Sequence, residues 1–133
     1  MNFSRKAVLA AVVVFAAAIG AAAGRSGDLE FADMNAEIGC PSKLSAEQKA
    51  DLFNAKYAGK KITATGEVTG IYPDEVTIKI LPSTYIFDLR VKLSDPKSAL
   101  HLKKGQQITV TFIVRIAGGC ILPYQGDRGA HVD

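Results

Sequence analysis

The sequence predicts a mainly β domain: a five-stranded barrel preceded by one α-helix. Three observations carry this. Apolar side chains fall at every second position in successive short stretches, glycines interrupt the first of these, and a helix-start signal with a period near 3.6 stands just before them.

The chain opens with Arg5 and Lys6, runs apolar from Ala7 to Ile19 and closes on the small residues Gly20-Ala21-Ala22-Ala23. This is the layout of a secretory signal peptide over residues 1–23. Cleavage is expected after Ala23, because Ala21 and Ala23 meet the peptidase's need for small side chains. A retained anchor is the alternative, since the run approaches the roughly 17–25 residues that cross a bilayer. Its many alanines partition weakly into lipid, so the cleaved form is preferred. The expected location is periplasmic or extracellular, with no stable membrane insertion after cleavage. About 110 residues then remain, enough for one compact domain. The formal charge of +3 loses two cations with the signal. A remainder near +1 gives no global pull toward a polyanion.

Cys40 and Cys120 are the only cysteines. In an oxidising compartment a disulfide between them is expected. Free thiols or a metal pair are the alternatives, and two cysteines without nearby histidines fall short of a zinc shell. Closing a loop of about 80 residues would stabilise the fold by about 4–5 kcal/mol on the chain-entropy view.

Residues 24–43 show no sustained period, and Leu29, Phe31, Met34 and Ile38 are their only sizeable apolar side chains. They are expected to form a loosely packed, acidic leader held at its end by Cys40. The barrel domain is expected over 44–124. Ser45 and Gln48 have the spacing of a capping box, and Ala46, Ala50, Phe53 and Tyr57 then recur at helical spacing until Gly59. Phe53 and Tyr57 are expected in the core.

Beyond Gly59 the period changes to two. Ile62, Ala64, Gly66 and Val68 alternate with Thr63, Thr65, Glu67 and Thr69, and Gly66 and Gly70 predict a bulge or bend. A second strand carries Val76, Ile78 and Ile80, with Thr77 and Lys79 on its other face. A third runs from Tyr85 to Leu93: Tyr85, Phe87, Leu89, Val91 and Leu93 point one way, and Ile86, Asp88, Arg90 and Lys92 the other. A short helical turn is expected over 98–102. Ile108, Val110, Phe112, Val114 and Ile116 line a fourth strand, and Cys120-Ile121-Leu122 forms a short fifth. Residues 125–133 are polar and are expected to be a flexible tail. Five strands, the first bent at glycines, fit the OB-fold.

The segment from Phe53 to Val68, in which a helix leads through Tyr57-Ala58-Gly59-Lys60 into an alternating strand, resembles the exported bacterial OB-fold proteins called tRNA anti-like. So does Leu102-Lys103-Lys104-Gly105-Gln106-Gln107-Ile108-Thr109-Val110. The likeness covers residues 44 to about 123. It implies a binding barrel without a catalytic motif.

The residues themselves predict no enzyme. The only histidines are His101, in a connection, and His131, in the tail; oxidised cysteines supply no thiolate. Asp74 and Glu75 are adjacent in a turn and point apart, and Gly118-Gly119 opens no helix that would cradle phosphate. No catalytic residue, metal site or cofactor is expected. The ligand-binding candidates are Tyr72, Thr77, Lys79, Arg90 and Lys92. The three cations would form a basic patch on the outer face of the second and third strands, with Tyr72 at its end for stacking. A merely solvated face is the alternative. The expectation is an exported, non-enzymatic module for a protein, a glycan or an anionic envelope ligand. The runner-up is a domain that binds single-stranded oligonucleotides.

Overall fold

The structure is a computed structural model that describes residues 28–82 and 87–132. The signal over 1–23, the first residues of the leader and Tyr85 and Ile86 of the expected third strand lie outside them. In chain order the elements are β1 (Leu29–Glu30), α1 (Phe31–Ile38), α2 (Ala46–Leu52), a π turn (Phe53–Tyr57), β2 (Lys61–Ile71), β3 (Glu75–Lys79), β4 (Leu89–Leu93), a 3-10 turn (Pro96–His101), β5 (Gln107–Ile116) and β6 (Tyr124–Val132).

Five strands close a barrel in the order β2-β3-β4-β6-β5, with β5 pairing back to β2 from Lys61↔Ile113 to Glu67↔Gln107. All pairings within it are antiparallel except β4 with β6. Mainly β and closed, preceded by helix, the fold is OB-like as expected. β1 is an extra strand, parallel to β2 through Leu29↔Ile62 and Glu30↔Thr63. Closure hides the backbone edges that five short strands would otherwise expose.

The interior follows the alternation. Ile62, Ala64 and Val68 of β2, Val76 and Ile78 of β3, Leu89 and Val91 of β4, and Ile108 to Val114 of β5 at every second position are buried together. β2 serves both β5 and β3 by shifting register between Val68 and Gly70, a bulge that falls where the glycines predicted one. Ala99 and Leu102 pack into the same core from the connection between β4 and β5.

The helix start is as expected. Ser45 Oγ accepts from the Gln48 amide at 3.1 Å while Gln48 Oε1 accepts from the Ser45 amide at 2.9 Å. No residue of Ala46–Leu52 is buried, so Ala46 and Ala50 are not core residues. The π turn brings Phe53 and Tyr57 inward instead, with the Ala58 amide donating to Phe53 O.

Three expectations are corrected. The leader does not pack loosely: Phe31, Met34, Asn35 and Ile38 lie on one face of α1 and are buried, and Phe31 meets Tyr124 edge to face at 4.9 Å. The fifth barrel strand is not Cys120-Ile121-Leu122, which lies in the β5–β6 connection, but Tyr124–Val132. Residues 125–132, expected as tail, thus form the strand between β4 and β5, where each edge gains a ladder of hydrogen bonds. Finally, β4 begins at Leu89, and Asp88 turns inward. Its carboxylate accepts from the Ile80 and Leu81 amides at 2.7 and 2.8 Å, which stops the strand there.

The disulfide joins Cys40 to Cys120, 80 residues apart. It fastens the end of α1 to the tip of the β5–β6 hairpin.

Candidate functional site

The outer wall of β3 and β4 is where the ligand candidates were expected to converge. Strand register lays a transverse row across it, Gly70↔Thr77↔Arg90↔Gln125↔Ile116. Thr77 is buried within this row, and its hydroxyl pairs with that of Thr69 at 2.9 Å. It is therefore a packing residue and not available to a ligand, which corrects the expectation. Tyr72 covers it. A side chain at Gly70 would come within 3.2 Å of the Tyr72 ring, so glycine lets the ring lie over the strand, and Tyr72 remains 51% exposed.

The cations of this wall each face an acid. Arg90 is hydrogen-bonded to Glu75, and Lys92 stands opposite the same Glu75 in register. Lys79 stands opposite Glu67 on β2. Beside them, Arg115 Nε lies 3.1 Å from both carboxylate oxygens of Asp127. Four cations thus meet three acids. The expected basic patch is interleaved with acids, and a phosphate backbone binding there would have to displace Glu75 from Arg90 and Asp127 from Arg115. The depression between these side chains holds about 190 Å³ and is open.

Sequence reasoning missed the hairpin tip. The Gly119 amide donates to Leu122 O at 2.9 Å, which leaves Cys120 and Ile121 at the turn. The disulfide pins this turn, and Ile121 and Leu122 are 91% and 72% exposed. Ile116, at the end of β5, adds a third exposed aliphatic, 52% accessible. On the other side of the same connection, Ala117 and Gly118 border an apolar groove of about 300 Å³ walled by Ile38, Ala46, Ala50 and Phe53. The signal for this tip was present in the sequence: two aliphatics beside a cysteine, between a double glycine and a proline.

Beneath the tip lies a chamber of about 20 Å³ where Asn35, Asp88 and Tyr124 meet. The Tyr124 hydroxyl donates to Asn35 Oδ1 at 3.2 Å, and burial, with Tyr57 and the Asp88 charge nearby, pushes its ionisation well above the ordinary tyrosine range. Such a phenol stays neutral and serves as a structural donor. A further polar group joins α1 to the π turn. Lys56 donates to Glu37 at 2.6 Å and the Tyr57 hydroxyl donates to the same oxygen. These bonds, Lys56 first, hold the Glu37 carboxyl below its ordinary range. Lys56 is held above its own by the same contact.

His101 sits at the end of the 3-10 turn and His131 on β6, so the two histidines lie on separate elements. Asp74 accepts from the Leu93 amide through its backbone carbonyl, in the turn expected for it. Among the described residues no group of three or more His, Cys, Asp or Glu side chains is placed to hold a metal ion, and no helix is long and apolar enough to cross a membrane. No family model matches the chain, and no curated protein matches it.

Proposed function

We propose that the protein is an exported, non-enzymatic binding module whose ligand is another protein, gripped by the disulfide-pinned tip of the β5–β6 hairpin. The carrying observation is the exposure of Ile121 and Leu122 on a covalently fixed turn. Two aliphatic side chains held in water have unfavourable contacts that a partner's apolar recess removes, at roughly 1.5–3 kcal/mol for each side chain fully buried. The disulfide lowers the ordering cost of binding, because the turn is already fixed in the free protein. In OB-folds the connection between the last two strands belongs to the ligand-binding surface. The resemblance to the tRNA anti-like family supports a binding barrel, and a disulfide fits an oxidising compartment outside the cytoplasm.

A protein ligand suits the site better than an oligonucleotide, because the wall's two arginines are ion-paired with acids and Tyr72 is its only exposed ring among the described residues. Stacking and phosphate neutralisation both need more than that. The test is cross-linking in the compartment where the protein resides, comparing the native chain with Ile121→Asp/Leu122→Asp and with Lys79→Glu/Lys92→Glu. The expected result is a discrete complex that the tip variant loses, that the wall variant keeps, and that added salt leaves intact. Saturable binding of single-stranded oligonucleotides that weakens steeply with salt and disappears in the wall variant would overturn the proposal.

A further inference from the structure

At the far end of β5 from the hairpin tip, residues 96–107 contain three lysines and no acid. We infer that this end of the barrel is a contact surface for an anionic phospholipid bilayer. The 3-10 turn fixes its geometry. Ala99 and Leu102 are buried in the barrel core, which sets the inward face. Residues three apart eclipse one another on a 3-10 turn, so Lys97 and Leu100 share an outward face. Leu100 is 81% exposed there.

Lys103 and Lys104 follow on a turn that is built rather than loose. The Lys103 amide donates to Gln106 Oε1 at 3.0 Å, the Gln106 amide to Lys103 O at 3.1 Å, and the Gly105 amide to Val68 O at 2.8 Å. Gly105 has a φ of 86°, the left-handed conformation that this turn requires. Two exposed lysines are thereby presented on the turn that follows the 3-10 segment bearing Leu100.

Their electrostatic setting differs from that of the two arginines of the outer wall, though Lys79 and Lys92 there also form no salt bridge among the described residues. Lys56, Lys61, Arg90 and Arg115 each have a carboxylate within salt-bridge distance, whereas Lys97, Lys103 and Lys104 have none among the described residues. Asp95, the nearest acid in sequence, is engaged in capping the 3-10 turn, with Oδ1 accepting from the Lys97 amide at 3.0 Å. Three exposed lysines without a salt bridge among the described residues, within a few residues of an exposed leucine, have the chemistry of an interfacial anchor. The ammonium groups meet lipid phosphates while Leu100 enters the headgroup boundary. Residues 96–107 contain no Phe, Tyr or Trp, which leaves a single-stranded nucleic acid only the His101 ring to stack on there. The inference does not rest on the protein-ligand proposal, because the two surfaces are separated by the ten residues of β5.

The test is sedimentation of the protein, purified after expression of the whole chain, with vesicles of phosphatidylcholine alone or mixed with phosphatidylglycerol. The native protein should sediment with the anionic vesicles and weaken as salt rises. Lys97→Gln/Lys103→Gln/Lys104→Gln should bind about a hundredfold more weakly, as three lysines near a charged surface imply. Leu100→Ser should bind several-fold more weakly with an unchanged salt dependence, and Ile121→Asp/Leu122→Asp should bind like the native chain. All four side chains replaced at this end are exposed, so unchanged thermal melting serves as the folding control. Equal binding to neutral vesicles would overturn the inference, because the attachment would then not depend on the charge of the lipid. Full affinity in the lysine variant, or single-stranded DNA held by these lysines more tightly than the anionic vesicles, would overturn it as well.

Discussion

Asp88 shows what a single residue can conceal. By alternation it belongs with Arg90 and Lys92 on the wet face of a strand, yet it is buried and its Oδ2 gathers two backbone amides. Removing the carboxylate would leave the Ile80 and Leu81 donors short of a partner in a partly closed site. Asp88→Ala should therefore cost about 2–4 kcal/mol in urea unfolding, well above a surface substitution. Thr77 is hidden in the same way: it is buried, and its hydroxyl pairs with that of Thr69 beside the bulge. Neither can be inferred from a period of two, which fails where a strand ends, as at Asp88, and does not report what covers a side chain, as at Thr77. Glu37 supplies a pH dependence. Its folded-state ionisation is held below the ordinary 4.5 by Lys56 and then Tyr57. A depressed carboxyl contributes stability that is present above the unfolded value and is lost as pH falls through the folded one. Glu37→Gln should flatten the acid limb of a stability profile below about pH 4.5 and leave its slope above pH 6 unchanged. The Glu37 side chain is 36% exposed, so solvent screens the pair and the change should be modest.

At the scale of elements, legibility follows periodicity. β2, β3 and β5 alternate cleanly, so their places are legible to within a few residues, and the capping box locates α2. α1 carried a weaker signal: Phe31, Met34 and Ile38 are spaced by three and four, but Asn35 occupies the remaining slot of that face and breaks the apolar pattern. Its amide is used within the core, as the acceptor for Tyr124. β6 carried almost no signal. Residues 125–132 offer hydrogen-bonding edges and glycines instead of an apolar stripe, and Arg128 at a φ of 53° interrupts their regular course. The glycines explain how so polar a segment occupies the middle of a barrel wall. A side chain at Gly129 would stand 2.3 Å from Val91 Cγ1, and one at Gly126 would stand 2.5 Å from the Phe112 ring. Flanking strands can therefore close over β6 and bury their own side chains across it. Gly129→Val should cost about 2–3 kcal/mol, through overpacking against β4, and should lower the urea midpoint while leaving helix content unchanged in the folded baseline. A segment that was only a frayed tail would tolerate the same substitution without measurable loss.

For the whole molecule, the disulfide does two things that a single experiment can separate. Its loop of 80 residues restricts the unfolded chain, which on the chain-entropy view stabilises the fold by about 4–5 kcal/mol. In the folded chain it holds the hairpin tip against the end of α1, while the lysine-bearing turn lies beyond the other end of β5 and has no covalent tie to it. Replacing both cysteines by serine should lower the melting temperature by about 20–30 °C, given that roughly 4–8 °C accompanies each kcal/mol in a domain of this size. Well below that lowered transition the barrel core is still assembled from its five strands, since neither cysteine is part of the buried cluster. Under those conditions binding to a protein partner through Ile121 and Leu122 should weaken, because the tip then has to be ordered during association. Attachment to anionic vesicles should be unchanged, because Gln106 and Val68 continue to hold the lysine turn. Parallel loss of both activities would mean that the two ends do not work as separate surfaces on one rigid barrel.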